Sequence, residues 1–600
     1  MQLIADRKDI DFVLHEQFEL SQLSRHEKFK DFNKTVIDMI VNEARTLAIR
    51  EILPTNRIGD ETGCTYQNGC VTMPSGFKAA WRQLEKGEWF APAQEPEWGG
   101  QGIPETLNVV TQNYLFGANL SLLMVAGLNH AAGKIIETFG SEQQKKFYLK
   151  KLYSGNWSGT MLLTEAESGS NLGDLTTSAT KNEDGTYTLC GSKIFISGGD
   201  HDMTDNIVHL ILARIEGAPE GSRGISLFVA PKFRVTEEGS LSEKNDITCT
   251  GIEKKMGLHG SPTCSMALGS RGKCIGTLIG EENKGLSIMF MMMNKARLMV
   301  GSQALSCASS AYLHALDYAR TRIQGSLPDS MDKKAVPIIQ HPDIRRTLLT
   351  MKMYTEGMRS LLCYVANLED KKKINENAAD KTRYQNLIDI LIPVAKGYVT
   401  DRALDVCNMA VQIFGGYGYT REFPVEQLLR DVRVTSIYEG TNGIQAMDLL
   451  GRKLFHRKKM FRDLMDEIGK ILNKAKSTPA LEQLAQRLDN ALALLEQVVS
   501  KIDPAVKDQD PLLPYAFATP FLEVTGDVIM GWMLLWRATI AQDHIENRPR
   551  KKGHEFYVGQ IKSAQFFIGS VLPVTLGKMA SIINFDRAAI EISDTSFGGK

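Results

Sequence analysis

The stretch TYTLCGSKIFIS, residues 186–197, is the longest of a series of β-rich runs in the middle of the chain. Short apolar and β-branched runs bounded by Gly, Asn, Asp and Pro predict strands. No helical pattern separates these runs, which disfavours a doubly wound parallel sheet and favours one β-rich domain. The other runs are TMLLTEA (160–166), NIVHLILARI (206–215), ISLFVAPKF (225–233) and TCSMALG (263–269).

Helical periodicity fills the chain on both sides of the β-rich region. In FNKTVIDMIVNEARTLAIREIL (32–53) apolar residues return every three or four positions, as one buried face of a helix requires. The same pattern resumes after residue 280. We therefore predict an α+β multidomain chain. Its four parts are an N-terminal helical domain (1–158), a middle β-domain (159–280), a second helical domain (281–455) and a C-terminal helical extension (456–600).

The composition narrows the possible functions. The 600 residues include 70 Lys and Arg and 70 Asp and Glu, so the formal net charge is zero and nucleic-acid binding is not expected. The nine cysteines show no metal-ligand spacing, so we expect no metal site and reduced thiols in a cytoplasmic protein. The longest apolar run, Val528–Trp536, has about half the length of a membrane span and predicts a buried helix.

Two short motifs of the second helical domain are candidate functional sites. GGYG (415–418) follows a helical pattern and has the wrong spacing for a dinucleotide fingerprint, which begins after a strand. SIYEGTNGIQ (436–445) places Glu439 between Tyr438 and Gly440, just before a helical pattern. By itself this carboxylate fits two interpretations, a desolvated catalytic base or a solvated acid that favours a helix N-terminus.

Four separated segments, in order, resemble the acyl-CoA dehydrogenase family of flavoenzymes over roughly residues 30–455. The resemblance implies that the middle domain is a β-barrel or sandwich and that the second helical domain is a four-helix-type bundle. The N-terminal stretch ADRKDIDFVL and the long tail are most similar to the branch that includes 3-methylmercaptopropionyl-CoA dehydrogenase, with the very-long-chain branch as the rival. The four segments are LLTEAESGSNLGD (162–174), GSKIFIS (191–197), AVQIFGGYG (410–418) and SIYEGTNGIQ (436–445).

The resemblance implies a reaction and its partners. A base removes the α-proton of an acyl-CoA while the β-hydrogen leaves as hydride to flavin N5, giving a trans-2-enoyl-CoA. FAD is the implied cofactor, and electron-transfer flavoprotein is the implied electron acceptor. Because an α-C–H is a very weak acid, desolvation must raise the pKa of the base, and the developing enolate charge must be stabilised. The FAD sites of the family draw on two subunits, which implies at least a homodimer.

Glu439 matches the catalytic glutamate of the family, and Gly440 would let the thioester approach the backbone. Some members place the base on another helix, just before an arginine. Here that position holds Ala296, so Glu439 has no competitor. The resemblance also places Asn294 and Arg297 at the acyl-CoA. For Arg297 the alternative is an ordinary structural ion pair.

The implied flavin contacts come from several segments, and the match is incomplete. Ala166 replaces the usual Pro of the first motif, which predicts a less rigid loop, and Gly443 stands where many members have Gln or Asp. A plain amphipathic strand is the alternative for GSKIFIS. Ser170 and Gly440 are also expected at the acyl-CoA. The residues expected to bind FAD are Thr164, Gly169, Ser170, Phe195, Ile196, Ser197, Arg322, Gln324, Gln412, Gly415, Gly416 and Thr441.

Two alternatives to a dehydrogenase remain open from the sequence. An acyl-CoA oxidase would have the same fold and base but would pass electrons to oxygen. A catalytically idle member would act as a scaffold through its C-terminal helices. In the tail, Leu481–Ile502 has an apolar stripe typical of a packed helix. We therefore favour packing, including over a dimer interface, above peripheral membrane contact for the tail.

Overall fold

The computed structural model describes residues 3–328, 331, 333–507, 510, 512–547 and 553–599, without the side chains of residues 291, 292 and 503–507. The chain forms two compact units, one of residues 35–296 and the other of residues 3–34 with 297–600. The twelve strands of the described residues are β1 (Thr65–Gln67), β2 (Cys70–Thr72), β3 (Ser158–Leu162), β4 (Ser178–Lys181), β5 (Tyr187–Ser197), β6 (Ile207–Ile215), β7 (Ile225–Pro231), β8 (Phe233–Val235), β9 (Leu241–Lys244), β10 (Ile247–Ile252), β11 (Thr263–Leu268) and β12 (Ile275–Leu278).

Eight of these strands form one sheet, which confirms a β-rich middle domain. The strand order is β10-β11-β5-β12-β7-β6-β3, and β4 pairs with both β5 and β6. Both parallel pairings involve β6, with β3 and with β4, and the other pairings of this sheet are antiparallel. This largely antiparallel pairing agrees with the prediction against a doubly wound sheet.

The packing of strand β6 explains why its sequence is continuously apolar. Its residues Val208, Leu210 and Leu212 pack in one core with helical side chains, whereas Ile211 and Ala213 belong to a second core. Both faces of the strand are therefore buried, and such a strand loses the alternation of polar and apolar residues.

Helices account for most of the other described residues. A single π-helical turn, Val394–Tyr398, connects two of the longer ones. The α-helices are α1 (Arg7–Phe12), α2 (Lys34–Leu47), α3 (Leu53–Thr62), α4 (Phe77–Lys86), α5 (Glu105–Ala118), α6 (Leu120–Phe139), α7 (Glu142–Ser154), α8 (Gly285–Thr321), α9 (Pro342–Ile374), α10 (Ala378–Pro393), α11 (Val399–Phe414), α12 (Val425–Val432), α13 (Asn442–Met447), α14 (Lys458–Lys476), α15 (Glu482–Lys507), α16 (Leu513–Ala516), α17 (Ala518–Asn547), α18 (His554–Phe566), α19 (Leu572–Asn584) and α20 (Ala588–Glu591).

Residues 3–34 form one compact unit with residues 297–600, whereas residues 35–158 of the predicted first domain, 1–158, belong to the other unit. The reason is a buried charge. Asp9 on α1 accepts hydrogen bonds from Arg359 of α9 and Arg537 of α17, and all three side chains are buried. Charges buried in this way need partners, and these partners tie the N-terminal segment to the bundle and the extension.

The C-terminal extension packs on the bundle through α17, the helix that contains the apolar run Val528–Trp536. Residues 528–535 of this run are buried, as predicted. A Cβ atom on Gly357 of α9 would lie 2.0 Å from the sulfur of Met530, so the two helices approach closely where Gly357 has no side chain. Within the described residues, His554–Asn584 is long and apolar enough to cross a membrane, and a third of its most apolar window is buried.

Candidate active site

Glu439 lies in a strained turn at the start of α13. Its φ is +54° and that of Gly440 is +82°, both in the left-handed region that ordinary residues avoid. The amide of Gln445 holds the turn, because its Nε2 donates to the carbonyl oxygens of Glu439 and Gly440, each at 3.3 Å. A Cβ on Gly440 would lie 2.8 Å from this Nε2. Thr441 caps α13 by accepting from the N–H of Ile444. Strain of this kind concentrates at functional sites.

The electrostatic surroundings of Glu439 suit a general base. The residue is half-buried, and desolvation raises the pKa of its carboxyl, while the cations of Arg297 and Lys396 act in the opposite direction. A carboxylate with a raised pKa binds a proton more strongly and is a better base for a weak carbon acid. The surroundings therefore favour the base over the solvated helix-start acid.

Arg297 is engaged in the structural ion pair that the sequence left open as an alternative. It is buried, and its Nη1 donates to Asp448 Oδ2 at 3.1 Å. Arg297 Nε and Gln445 Oε1 are two of the buried side-chain polar atoms that have no hydrogen-bond partner in the described part of the chain. Buried polar atoms are nearly always hydrogen-bonded, so these two are available to a bound molecule. Asn294 lies one turn earlier on α8 and is half-buried.

Several of the predicted cofactor residues line a cavity of about 510 Å³ in the unit of residues 3–34 and 297–600. Arg322, Gln324, Gly415 and Gly416 all line it, and Gln412 lies just before its wall on α11. The other lining residues are Tyr318, Ile338, Ile344, Ile413, Phe414, Tyr417 and Thr420.

The chemistry of this cavity fits an aromatic ligand that carries phosphate, as FAD does. Tyr318 and Phe414 stack with ring centroids 4.1 Å apart. The exposed guanidinium of Arg322 lies 6.0 Å from the ring centroid of Tyr417. A planar cationic fork suits phosphate oxygens, and Gly415 adopts φ +60° with open space where a side chain would be.

The unit of residues 35–296 brings the strand-borne residues together. The N–H of Ile194 donates to the carbonyl oxygen of Thr164 at 2.9 Å, and a Cβ on Gly169 would contact the Thr164 methyl at 3.7 Å. The first two family motifs are therefore neighbours in space. Ser170 follows on the same exposed loop.

Phe195 departs from a plain amphipathic strand. At its position β5 bulges against β11, its φ is +57°, and its side chain is 60% exposed. Bulges next to active sites commonly redirect a side chain, and here the bulge presents an aromatic ring. Ile196 is buried in the sheet core, so it could offer a ligand only its backbone. Ser197 is half-buried and pairs with Thr263 on β11.

The loop after Thr164 is anchored even though Ala166 stands in place of proline. The carboxylate of Glu165 accepts hydrogen bonds from the backbone N–H and the hydroxyl of both Thr176 and Thr177, at 2.6–3.1 Å. It also accepts from Lys193 Nζ at 2.8 Å, and Lys193 is fully buried. This pair links the first motif to GSKIFIS. Sequence reasoning missed both residues, although a lysine among the apolar residues of a strand was a usable signal.

We expect Glu165→Gln to lower the free energy of unfolding of this unit by about 3–5 kcal/mol, because Lys193 would remain buried without a counterion. Burial disfavours the charged carboxyl, but Lys193 and the threonines hold the pKa of Glu165 at about 2, below the ordinary 4.5. Its contribution is therefore complete above pH 4.5 and is lost as the pH falls toward 2. Urea unfolding at pH 7 measures the effect. Exposed Glu167→Gln is the matched control, and equal stability of the two variants would contradict the expectation.

Lys396, in the turn Val394–Tyr398, is a third residue that sequence reasoning missed. It is fully buried, and its Nζ donates to Asn442 Oδ1 at 2.8 Å at the start of α13. Buried lysines are rare unless paired, so a lysine within the apolar run LIPVAKGYV was again a usable signal.

Comparison with protein-family models matches four consecutive parts of the chain. These are the acyl-CoA dehydrogenase N-terminal domain at residues 37–156, the middle domain at 160–270, the C-terminal domain at 283–454, and a domain described as acetyl-CoA dehydrogenase C-terminal like at 464–593.

Curated proteins align over nearly the whole chain. A 3-methylmercaptopropionyl-CoA dehydrogenase of Ruegeria pomeroyi is 38% identical over 95% of this chain and 96% of its own length. A butyryl-CoA dehydrogenase of Syntrophomonas wolfei is 33% identical over 98% of both chains. A broad-specificity linear acyl-CoA dehydrogenase of Mycobacterium tuberculosis is 32% identical over 98% of this chain and 99% of its own.

Solved structures share the fold. Butyryl-CoA dehydrogenase of Megasphaera elsdenii is 29% identical, with a TM-score of 0.57 over 71% of this chain and 100% of its own. ACDH-11 of Caenorhabditis elegans, in complex with C11-CoA, is 20% identical, with a TM-score of 0.74 over 98% of this chain and 95% of its own. The second likeness extends the shared fold into the C-terminal extension.

Proposed function

The chain belongs to the acyl-CoA dehydrogenase family of FAD-dependent oxidoreductases, and from this premise we propose that Glu439 is its catalytic base. The proposed reaction is the α,β-dehydrogenation of an acyl-CoA thioester to a trans-2-enoyl-CoA. One observation carries the proposal: Glu439 occupies a strained, half-buried turn in which desolvation raises the pKa of its carboxyl. A solvated acid at a helix start, the alternative interpretation of Glu439, would not require a strained and half-buried turn.

In the proposed mechanism Glu439 removes the α-proton and becomes a neutral acid. Its desolvated carboxylate is a stronger base than one in water. The backbone N–H of Glu439 donates to the thioester oxygen and stabilises the enolate charge as it develops. Gly440, which has no side chain, lets the thioester approach this backbone. The amide of Gln445 fixes the turn, so these groups do not have to reorganise during the reaction.

FAD, when bound, supplies the acceptor for the β-hydride. The features that support binding are the cavity with Arg322 and the exposed aromatic ring at the β5 bulge. Most of the proposed contacts are neighbours within one compact unit, and Thr441 lies at the start of α13. Residues 297–600 would contribute Arg322, Gln324, Gln412, Gly415, Gly416 and Thr441, and residues 35–296 would contribute Thr164, Gly169, Ser170, Phe195, Ser197 and the backbone of Ile196.

The proposed substrate is an acyl-CoA with a short acyl chain. Support comes from relatives aligned over nearly their whole length, two of which are named for 3-methylmercaptopropionyl-CoA and butyryl-CoA. A third relative is named for broad specificity toward linear acyl-CoAs, so a series of chain lengths is needed to define the range.

We expect the purified yellow protein to be bleached near 450 nm by acyl-CoA under anaerobic conditions, with release of an enoyl-CoA two mass units lighter. The series should include a thioether acyl group, and it should show the fastest reduction for short chains. Free CoA, which has no α-proton, is the control. If no acyl-CoA of the series bleached the flavin, the proposed function would be wrong.

The proposed electron acceptor is electron-transfer flavoprotein. The same reaction run in air separates a dehydrogenase from an oxidase. Rapid turnover with electron-transfer flavoprotein and little peroxide would support the proposal, whereas peroxide formed in step with enoyl-CoA would show an oxidase.

We also propose that the protein is at least a dimer. The support is that Arg322, Gln412, Gly415 and Gly416 stay exposed in the single chain, and that FAD sites of this family combine residues of two subunits. Sedimentation of the FAD-loaded protein at the mass of one chain would exclude a dimer.

A further inference from the structure

The π-helical turn Val394–Tyr398 connects the turn that carries Glu439 with the C-terminal extension. It joins α10 to α11, and each of its five residues is buried. It is one of five π-helical segments among the described residues, and π-helical turns are frequent at functional sites. The turn carries Lys396 on the side of α13 and Tyr398 on the side of α17.

On the side of α13, four hydrogen bonds of Asn442 hold the residues that follow Glu439. Lys396 Nζ donates to Asn442 Oδ1 at 2.8 Å. Asn442 in turn donates through Nδ2 to the carbonyl oxygen of Gly397 at 3.0 Å, to Thr400 Oγ1 at 2.9 Å and to Asp401 Oδ1 at 2.7 Å. Asn442 is the first residue of α13. The start of α13 is therefore fixed by the turn.

The same turn reaches the residue that holds the backbone of Glu439. A Cβ on Gly397 would lie 3.3 Å from the Cβ of Gln445, so the two backbones pack closely. Gln445 is the side chain whose amide binds the carbonyl oxygens of Glu439 and Gly440.

On the other side, the C-terminal extension clamps the turn. The hydroxyl of Tyr398 donates to Asp527 Oδ1 at 2.7 Å, and Thr575 of α19 donates to Asp527 Oδ2 at 2.8 Å. The Tyr398 ring occupies the space that a Cβ on Gly526 would need, at 2.1 Å, and Leu522 packs against Gly397 in the same way. Through its contacts with Gly397 and Tyr398, the extension thus fixes the turn that carries Lys396.

The charges around Lys396 come from several elements. The carboxyl groups of Asp401 on α11 and Glu439 attract its ammonium, and the guanidinium of Arg297 on α8 repels it. The acid that α17 brings to the turn, Asp527, is bound to Tyr398. A cation near a carboxylate favours the ionised form, so Lys396 and Arg297 both offset the desolvation of Glu439.

We propose that Lys396 is a positioning residue for the base: through Asn442 it fixes the start of α13 and brings a buried cationic side chain to the turn that carries Glu439. The C-terminal extension would then serve catalysis by clamping the turn on which Lys396 stands. This inference rests on the proposed role of Glu439.

We expect Lys396→Met to slow flavin reduction about tenfold or more and to raise the pH of its half-maximal rate by about one unit, as loss of a nearby opposite charge does. The KM for acyl-CoA should change much less than kcat, because Lys396 acts through Glu439. Lys372→Met, at a partly buried pair with Glu369 on the same compact unit, is the matched control and should leave the rate and its pH profile unchanged.

The pH dependence of Tm gives a measurement that is independent of activity. Desolvation lowers the pKa of Lys396 to about 7 from the ordinary 10.5, so its ammonium acts on Glu439 below about pH 7. Between these values the unfolded chain binds a proton that the folded chain has released, so the stability of the wild-type protein rises with pH. Lys396→Met removes this contribution, and its Tm should rise less between pH 7 and 10.

Tyr398→Phe tests the clamp, because it removes one hydrogen bond to Asp527 and leaves the ring in place. We expect flavin reduction to slow several-fold, with FAD content unchanged. An unchanged rate would show that the extension does not act through this hydrogen bond. If Lys396→Met is insoluble, Lys396→Gln keeps a donor to Asn442 without the charge and should show the same shift in the pH profile.

The inference is overturned if a folded, FAD-loaded Lys396 variant keeps the wild-type rate and pH profile. It is also overturned if its loss of rate only follows its loss of FAD. A failure of the proposed function looks different, because Glu439→Gln would then still reduce the flavin. If Glu439→Gln is inactive and the Lys396 variants behave as wild type, only the inference about Lys396 fails.

Discussion

Replacement of Glu439 by Gln is expected to slow flavin reduction by acyl-CoA about a thousandfold or more, because a side-chain base contributes up to about 10⁴ in rate and an amide cannot take the α-proton. Gln is close to Glu in size, so the turn held by Gln445 should persist and FAD should remain bound. Anaerobic stopped-flow absorbance near 450 nm measures the rate.

The pH profile adds a second criterion to this test. Because desolvation raises the pKa of Glu439 above its ordinary 4.5, the wild-type rate should rise with pH through this raised pKa as the base ionises. Glu439→Gln should lose this limb. Exposed Glu422→Gln, on the same compact unit, is the control and should keep both the rate and the limb. If Glu439→Gln reduced flavin at the wild-type rate, the assignment of the base would fail.

Replacement of Asp9 by Ala is expected to lower the free energy of unfolding of the unit of residues 3–34 and 297–600 by about 3–5 kcal/mol. Asp9 accepts from both Arg359 and Arg537, so its removal would leave two buried guanidinium groups without their shared counterion. Among their other partners, Ser309 and Gln560 are neutral and cannot replace this charge. Urea unfolding at pH 7 measures the change.

The contribution of Asp9 should also disappear in acid. Burial disfavours its charged form, but Arg537 and Arg359 hold the pKa of Asp9 below the ordinary 3.8. The stabilisation is therefore complete above pH 3.8 and is lost as the pH falls through the lowered value. Asp11→Asn, at a partly exposed pair with Arg7, is the control and should cost less than about 1 kcal/mol. Similar losses for Asp9→Ala and Asp11→Asn would contradict this account.

The sequence by itself determined the family, the fold class, the FAD cofactor and the kinds of elements. The comparisons confirm the family and the similarity to the branch with a C-terminal extension. These features are local: the apolar run 206–215 predicts a strand buried on both faces, and Val528–Trp536 predicts a buried helix. The functional residues of a motif such as SIYEGTNGIQ lie within ten consecutive residues, so their identity and spacing can be recognised from the sequence alone.

Only the tertiary structure decided which charges are partners. Asp9 and Arg537 are separated by 528 residues, and Lys396 reaches Asn442 across 46. A sequence pattern contains neither distances nor solvent exposure, so it could not show that Lys193 is buried against Glu165 or that Arg297 is held by Asp448. It also could not show that the side chain of Ile196 points into the sheet core. Burial converts an ordinary charged residue into one that must be paired, and burial is a property of the folded chain.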